Sequence, residues 1–335
     1  MTTYKGINGF AVQSVATDPS PLDEGQVWYN NATYAFKLAT IVADAWASGG
    51  NLNTSRTQAG TAGTQTSIIV FNGAGDSPSA VDDSSEKYNG TNWTSAAALP
   101  NTKYRPVGVG TQTAALSISG VPISNGPTTT AGTASYNGTS WTAITDVGTG
   151  RMTAAGAGTQ TAALFFGGFT YAPGVGANFQ NLTEEWNGSA WTSGGTLPTA
   201  KGALAGFGTQ TAGVAATGQV APPTVRSNTT EEYNGTSWTA GGNTNQSKLG
   251  TYGTGTLTAG LIFGGNLPAE TGQTERYDGT SWATSPASLN TARSSGSVGS
   301  AGSQAAAICV SGGSPTTVVE EWTGTAVGTK TITTS

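Results

Sequence analysis

The sequence predicts an all-β protein, a six-bladed β-propeller built from four-stranded antiparallel blades, and two observations lead to this fold class. The first is a repeat that passes through Gly-Thr-Gln-Thr-Ala-Ala-Leu and ends in Tyr-Asn-Gly-Thr-Ser-Trp. The second is the period, because the closing tryptophans follow one another at intervals of 47, 48, 50, 47 and 44 residues. The closing tryptophans are Trp46, Trp93, Trp141, Trp191, Trp238 and Trp282.

The repeat that ends at Trp191 illustrates the four strands of each predicted blade. Residues 152–158 are small and apolar, and after a Gly-Thr-Gln-Thr turn residues 162–166 form a second apolar run. Residues 183–186 alternate polar and apolar side chains, which is typical of a strand. The Asn187-Gly188 pair predicts a tight hairpin with positive φ at both turn positions, followed by the fourth strand.

The side chains of the repeat fit the taper of a ring of blades. We predict that the first strand of each blade is innermost, because it is rich in Ala and Gly and space is least near the axis. The tryptophan at the start of the fourth strand is interpreted as filler between blades. An alternative reading, a row of sugar-stacking platforms, agrees less well with its strict register to the hairpin.

Charged residues also follow the repeat, although the chain has only 13 Lys and Arg and 18 Asp and Glu. A basic residue lies ten or eleven positions after each tryptophan: Arg56, Lys103, Arg151, Lys201, Lys248 and Arg293. An acidic residue precedes the third-strand aromatic by two positions in five repeats, and the second repeat has Ala134 there: Glu86, Glu184, Glu231, Glu275 and Glu320. We predict a repeated structural ion pair, of which Arg151 and Glu184 are one example.

The ends of the chain predict the domain organisation. Residues 1–44 are expected to form an extended N-terminal arm, since Pro19 and Pro21 interrupt a stretch with little periodicity, and residues 45–335 are expected to form the propeller. The strand around Trp46 is predicted to pair with the final blade and so join the two ends of the ring. Residues 327–334 are expected to be a weak fourth strand of that blade.

Composition excludes several functional classes. The net charge of -5 and the few cations argue against nucleic-acid binding, which needs clustered Lys and Arg. Histidine is absent, so Ser-His-Asp catalysis and His-ligated zinc are excluded, and Cys309 is expected to be a core residue. We expect no enzymatic activity, no cofactor, no metal and no membrane span. The N-terminus lacks a signal-peptide pattern, which predicts assembly in a cytoplasm.

The repeats resemble kelch repeats, in which a strand ends in Gly-Gly and is followed by an aromatic residue and then Trp. Gly167-Gly168, Gly264-Gly265 and Gly312-Gly313 match the diglycine, whereas Asn72-Gly73 and its counterparts in two other repeats depart from it. The resemblance covers roughly residues 45–335 and implies a kelch-like propeller.

A second resemblance concerns the N-terminal part. The run Glu24-Gly25-Gln26-Val27-Trp28-Tyr29-Asn30 is similar to a segment of tail-fibre and appendage proteins of tailed phages, and the repeat looks like kelch-like virion proteins of marine phages. The resemblance implies a non-enzymatic virion protein, a tail fibre, an appendage or a capsid decoration, present in many copies and assembled in the host cytoplasm. It also implies docking to other virion proteins through the arm, for which the candidate residues are Tyr4, Phe10, Trp28 and Tyr29.

The variable links between strands are the candidates for ligand binding, because binding residues concentrate on such loops. The longest link contains Phe169, Tyr171 and Phe179, which could stack on a host-surface glycan, and another contains Asp76. These links are equally explained as spacers that pack on one another. A cellular kelch-like scaffold or a lectin-type binding protein remains the alternative to a virion protein.

Overall fold

The computed structural model describes residues 4–5, 11–74, 83–122, 128–172, 176–220, 225–294, 300–312 and 314–332. These residues form 36 strands, β1–β36 in chain order, and no helix. The chain divides into two compact units. The terminal unit comprises Met1–Asp44 and Thr323–Ser335, and the repeat unit comprises Ala45–Trp322.

The repeat unit contains six four-stranded sheets, which we number in chain order. Sheet 1 is β6 (Gly60–Thr64), β7 (Ser67–Phe71), β8 (Ser85–Tyr88) and β9 (Trp93–Ala96). Sheet 2 is β10 (Val107–Thr111), β11 (Ala114–Gly120), β12 (Thr130–Tyr136) and β13 (Trp141–Ile144). Sheet 3 is β14 (Ala155–Gly158), β15 (Ala163–Phe166), β18 (Thr183–Trp186) and β19 (Trp191–Ser193).

The remaining sheets repeat this pattern. Sheet 4 is β21 (Ala205–Thr209), β22 (Ala212–Ala216), β25 (Thr230–Tyr233) and β26 (Trp238–Ala240). Sheet 5 is β27 (Tyr252–Thr256), β28 (Ala259–Phe263), β31 (Gln273–Tyr277) and β32 (Trp282–Ser288). Sheet 6 is β33 (Ser300–Gly302), β34 (Ala306–Val310), β35 (Val319–Thr323) and β5 (Ala45–Ser48).

Short accessory strands lie in the links between the second and third strands of sheets 3, 4 and 5. They are the hairpin of β16 (Phe169–Ala172) and β17 (Gly176–Phe179), the pair β23 (Gln219–Val220) and β24 (Val225–Arg226), which extends β20 (Lys201–Gly202), and the hairpin of β29 (Asn266–Leu267) and β30 (Ala269–Glu270). All three pairs of strands lie in the link between the second and third strands of their sheets. Because these links are equivalent, the three pairs emerge on the same side of the repeat unit.

The first strands of the six sheets contact one another in a closed cycle, in the order β6, β10, β14, β21, β27, β33 and back to β6. All six line one narrow cavity of about 140 Å³. The approach is close: a Cβ on Gly108 would lie 2.2 Å from the carbonyl oxygen of Thr61 on the neighbouring strand. Small residues are therefore required at such contact positions, although the same strands also carry Val109, Phe207 and Tyr252. The arrangement is consistent with a β-propeller.

Sheet 6 draws its strands from both ends of the repeat unit. Its outermost strand is β5, which contains Trp46, so the predicted pairing of this strand with the final sheet is confirmed. The expected fourth strand at residues 327–334 is wrong. Those residues fall largely within β36 (Ala326–Ile332), which pairs with β4 (Ala35–Val42) of the terminal unit instead.

The terminal unit is a sheet rather than an extended arm over its described part. Its order is β1 (Tyr4–Lys5), β2 (Ala11–Val15), β3 (Val27–Asn30), β4 and β36. The β2–β3 pair is parallel and the other pairs are antiparallel. The C-terminal residues thus belong with residues 1–44, and not with the repeat unit to which the sequence assigned them.

The Asn-Gly turns join the third and fourth strands as predicted, but their geometry differs from the prediction. Gly90 has a φ of 91°, whereas Asn89 is not among the residues with positive φ. The strand pairing ends at Tyr88 and Trp93, so the loop has four residues. The Asn89 side chain accepts hydrogen bonds from the backbone N–H groups of Thr91 and Asn92, which replaces the expected two-residue turn with a side-chain-capped one.

The diglycine position is a backbone requirement that other residues also meet. Gly167 and Gly264 have φ of 63° and 66°, and Asn72 adopts 55° at the equivalent position. In sheet 6 the equivalent residue is Ser311, with φ of 61°, so the motif there is Ser311-Gly312 and not Gly312-Gly313.

Candidate functional site

The repeated tryptophans lie between sheets. Trp238 packs against Phe166 of the preceding sheet at 4.9 Å between ring centroids, and its indole N–H donates to Thr183 Oγ1, also on the preceding sheet. Trp46 makes the equivalent contacts with Phe263 and Thr274. Five of the six tryptophans are buried and Trp191 is half-buried. Their prediction as filler between neighbouring sheets is confirmed.

The predicted ion pair occurs in all five repeats that carry both charges. The pairs join the basic residue before the first strand to the glutamate of the third strand in the same sheet: Arg56–Glu86, Arg151–Glu184, Lys201–Glu231, Lys248–Glu275 and Arg293–Glu320. Both members are buried in every pair. Burial lowers the pKa of Arg151 to about 10, and Glu184 opposes this effect. The predicted pairing is therefore confirmed, and the structural role assigned to Arg151 and Glu184 stays a prediction.

Each ion pair is part of a larger network. The Arg151 guanidinium also donates to the carbonyl oxygens of Gly167 and Leu182, and the Glu184 carboxylate accepts from the backbone N–H groups of Gly148 and Thr149. The Glu86 and Glu320 carboxylates accept equivalent hydrogen bonds from backbone N–H groups. In each case these N–H groups belong to the residues three and two positions before the arginine of the pair. The pair therefore ties the link before the first strand to the second and third strands of its sheet.

Sheet 2 is the exception. Ala134 of β12 pairs with Ser117 of β11, just as Glu86 pairs with Val70 in sheet 1. Ala134 therefore stands at the position of the glutamate. Lys103 is nevertheless buried, with 2% of its surface exposed. Its ammonium donates to the carbonyl oxygens of Ser117 at 3.2 Å and Gly132 at 2.7 Å. Burial lowers the pKa of Lys103 to about 7, and the charge of Asp146 counteracts this in part.

A cavity of about 670 Å³ lies beside Lys103, and we call it the sheet 2 cavity. Its polar lining residues are Asn101, Thr102, Lys103, Thr130, Thr133 and Asp146. Pro122, Ala143 and Ile144 supply apolar surface. Asp146 is exposed, and one of its oxygens accepts the backbone N–H of Thr133 at 3.1 Å. The cavity was missed from the sequence, although the replacement of Glu by Ala134 opposite a retained lysine was visible there.

The glutamine of the Gly-Thr-Gln-Thr turn has a role that the sequence analysis also missed. Gln210 Nε2 donates to the carbonyl oxygens of Ala163 and Trp186 on the preceding sheet, at 3.0 and 2.7 Å. The same two-carbonyl bridge is made by Gln65, Gln112, Gln160 and Gln304. Sheet 5 has Leu257 in this position, packed against an apolar cluster. The recurrence of Gln at one turn position was the available signal.

A second contact between sheets uses the tyrosine of the Tyr-Asn-Gly motif. The Tyr277 hydroxyl donates to Glu232, and Tyr233 to Glu185, in each case on the preceding sheet. Tyr88 of sheet 1 donates to Glu321 of sheet 6 at 2.6 Å. Burial, followed by the carboxylate contact, raises the pKa of Tyr233 and of Tyr277 to about 12.

The predicted loop residues form part of a hairpin. Phe169 and Phe179 face each other across β16 and β17, with ring centroids 5.5 Å apart, and Tyr171 is half-buried on the same hairpin. The two phenylalanines thus pack on one another, as the alternative reading of spacers expects. Asp76 lies outside the described residues.

The candidate docking residues fall on different parts of the terminal unit. Trp28 is fully buried and donates to Asp18 Oδ1 at 2.9 Å, while Tyr29 is half-buried against Phe36 at 5.1 Å. The hydrogen bonds from Asn30 and Trp28 lower the pKa of Asp18. Tyr4 lies in β1, and Phe10 lies outside the described residues. Of the two candidates whose burial is described, Trp28 is enclosed and Tyr29 is partly exposed.

Large exposed hydrophobic side chains concentrate in the terminal unit. Of the six in the described part of the chain, five lie there and Val225 lies in the repeat unit: Tyr34, Phe36, Ile41, Val42 and Ile332. Phe36 pairs with Tyr29 on one side and Ile332 on the other, which places the three side chains on one face of the sheet. We call this face the apolar face of the terminal unit.

Comparison with known proteins gives no match: no family model matches the chain, and no curated protein matches it. Among the described residues no group of three or more His, Cys, Asp or Glu is placed to hold a metal ion. A search of the same residues for helices with the length and apolar character of a membrane span found none.

Proposed function

We propose that the protein is a non-enzymatic structural component of a tailed-phage virion, in which the terminal unit docks onto another virion protein and the repeat unit is displayed. The observation that carries the proposal is the uneven distribution of exposed hydrophobic side chains between the two units. Phe36 and Ile332 are paired neighbours on the apolar face, and an exposed apolar patch is typical of a protein–protein interface. The resemblance of residues 24–30 to fibre and appendage segments supports the same division of roles.

The displayed unit is, in this proposal, a six-bladed kelch-like β-propeller. The cyclic contacts of the six first strands and the completion of sheet 6 by β5 support it. The positive φ at the diglycine positions supports the kelch likeness. Five buried ion pairs and the glutamine bridges between sheets suit a rigid part that stays in the particle after assembly.

Particle incorporation tests the docking role. Mass spectrometry of gradient-purified particles is expected to detect the protein, and its recovery in free cytosol alone would contradict the virion assignment. In a complementation assay, Phe36→Asp is expected to abolish incorporation because it places a charge in the centre of the apolar face. Val225→Asp is the matched control, since Val225 and Phe36 are both 48% exposed and Val225 lies in the repeat unit. Equal loss with both variants would refute docking through the apolar face.

Adhesion to host-surface glycan is the second role that we propose, for the hairpin of β16 and β17. The accessory strands of three sheets emerge from equivalent connections, and Tyr171 on this hairpin is partly exposed. Binding to a glycan array is expected to fall when Tyr171 is changed to Ala. The change Thr239→Ala, at an exposed position on the fourth strand of sheet 4, is the control. Unchanged binding by Tyr171→Ala would exclude this hairpin as the adhesive element.

A further inference from the structure

Sheet 2 retains the cation of the repeat without its carboxylate. In the other five sheets the basic residue before the first strand has a glutamate within ion-pair distance, and in the described part of sheet 2 Lys103 has backbone carbonyl groups in its place. A buried ammonium without a counter-ion is costly, and a lysine that served only to fill space would be replaced by an apolar residue at little loss. Asp146, in the link after the fourth strand, is exposed and offsets the burial of Lys103 only in part. The retention of Lys103 thus points to a second anion, one that is not part of its own sheet.

The second strand changes together with the third. The residues that pair with the glutamates of sheets 1, 3, 4 and 5 are apolar, namely Val70, Phe165, Ala215 and Ile262, whereas Ala134 pairs with Ser117. At this paired position, sheet 2 therefore has a more polar side chain on its second strand and a smaller side chain on its third strand than the other sheets have. The sheet 2 cavity is lined by Lys103 and by Thr133, the residue before Ala134.

The residues that line the cavity also indicate which other functional groups the anionic ligand carries. Asn101 is two residues before Lys103, the position from which Thr54, Thr149 and Thr291 donate a backbone N–H to their glutamates. Two threonines, Thr130 and Thr133, add polar surface. Asp146 brings a negative charge, which disfavours a dianion such as phosphate and favours a monoanion that carries hydroxyl donors.

We propose that the sheet 2 cavity binds a small hydroxylated carboxylate of the sugar-acid class, whose carboxylate accepts a hydrogen bond from the Lys103 ammonium and whose hydroxyl groups donate to Asp146. The ligand carboxylate takes the place that glutamate holds in the other five sheets. The volume of about 670 Å³ is sufficient for one or two sugar rings. This site is independent of the virion role, and its failure would leave the proposed function unchanged.

Calorimetric titration of the full chain with D-glucuronate tests the proposal, with D-glucose as the probe that lacks the carboxylate. Wild-type protein is expected to bind glucuronate and not glucose at millimolar concentration. Binding above neutral pH is expected to be accompanied by proton uptake, because the ligand favours the charged form of Lys103. This uptake is measured by repeating the titration in buffers of different ionisation enthalpy.

Ala134→Glu restores the residue that the other sheets carry and gives the sharpest variant. It is expected to raise the melting temperature, because the new carboxylate forms an ion pair with the Lys103 ammonium. The same ion pair is expected to abolish glucuronate binding, because the ammonium is then no longer available to the ligand. Thr142→Glu, at an exposed position one strand away, is the matched control and is expected to bind like wild type. Lys103→Met provides a second variant if Ala134→Glu does not fold, and it is also expected to abolish binding. Absence of glucuronate binding by wild type, or equal binding by Lys103→Met, would overturn the proposal.

Discussion

The ion pair of sheet 3 allows a quantitative prediction for Glu184→Ala. The substitution leaves Arg151, which is 1% exposed, without its counter-ion, and leaves the backbone N–H groups of Gly148 and Thr149 without their acceptor. Removing one member of a buried pair costs about 3–5 kcal/mol. The unfolding entropy of the repeat unit Ala45–Trp322 is about 0.6 kcal/mol/K at about 2 cal/mol/K per residue, so the melting temperature should fall by roughly 5–9 °C.

Differential scanning calorimetry of the full chain measures this change. Glu270→Ala, at an exposed glutamate that contacts Ser294, is the control and is expected to stay within about 0.5 kcal/mol of wild type. The double variant Arg151→Met with Glu184→Ala is expected to lose less free energy of unfolding than the two single variants lose in sum, because no unpaired charge is then buried. A melting temperature for Glu184→Ala equal to that of wild type would refute the assignment of a structural role to the pair.

Three further predictions concern the other repeated contacts. Lys103 binds fewer protons when folded than when unfolded between pH 7 and 10.5, so the free energy of unfolding should rise with pH over that interval, and urea titrations of Lys103→Met should lose this rise. Gln210→Leu, which copies the natural Leu257 of sheet 5, should lower the free energy of unfolding by about 1–3 kcal/mol because the Trp186 and Ala163 carbonyl groups lose a donor; a neutral effect in denaturation experiments would count against the bridge. Tyr233 and Tyr277 should ionise near pH 12 in ultraviolet titration of the folded protein. Because tyrosine ionises near pH 10 when the chain is unfolded, the free energy of unfolding should decrease between pH 10 and 12, and Tyr233→Phe should make this decrease smaller.

Local patterns were sufficient to predict much of the repeat unit. The Asn-Gly hairpins, the tryptophan positions and the pairing of Arg151 with Glu184 each depend on a fixed spacing that recurs within one repeat. The small residues of the first strands were interpretable because close strand approach at an axis excludes a Cβ, as at Gly108.

The features that the sequence did not predict are pairings between distant segments. Nothing local relates β36 to β4, which pair residues almost 300 positions apart. The sequence assigned β4 to the N-terminal arm and β36 to the last blade. The bridge from Gln210 to a neighbouring sheet depends on how sheets pack, which the spacing within one repeat does not contain. The sheet 2 cavity likewise is lined by residues from separate segments, such as Lys103, Thr133 and Asp146, and its size is a property of the packed structure.

The strand β5 has a consequence for how the protein is made. It is synthesised before every other strand of the repeat unit, yet its partner β35 lies at the opposite end of that unit. A nascent chain therefore carries an unpaired strand with Trp46 throughout translation of the five intervening sheets. Only a chain that extends through β35 can form this pairing, so a product that terminates earlier leaves β5 without its partner.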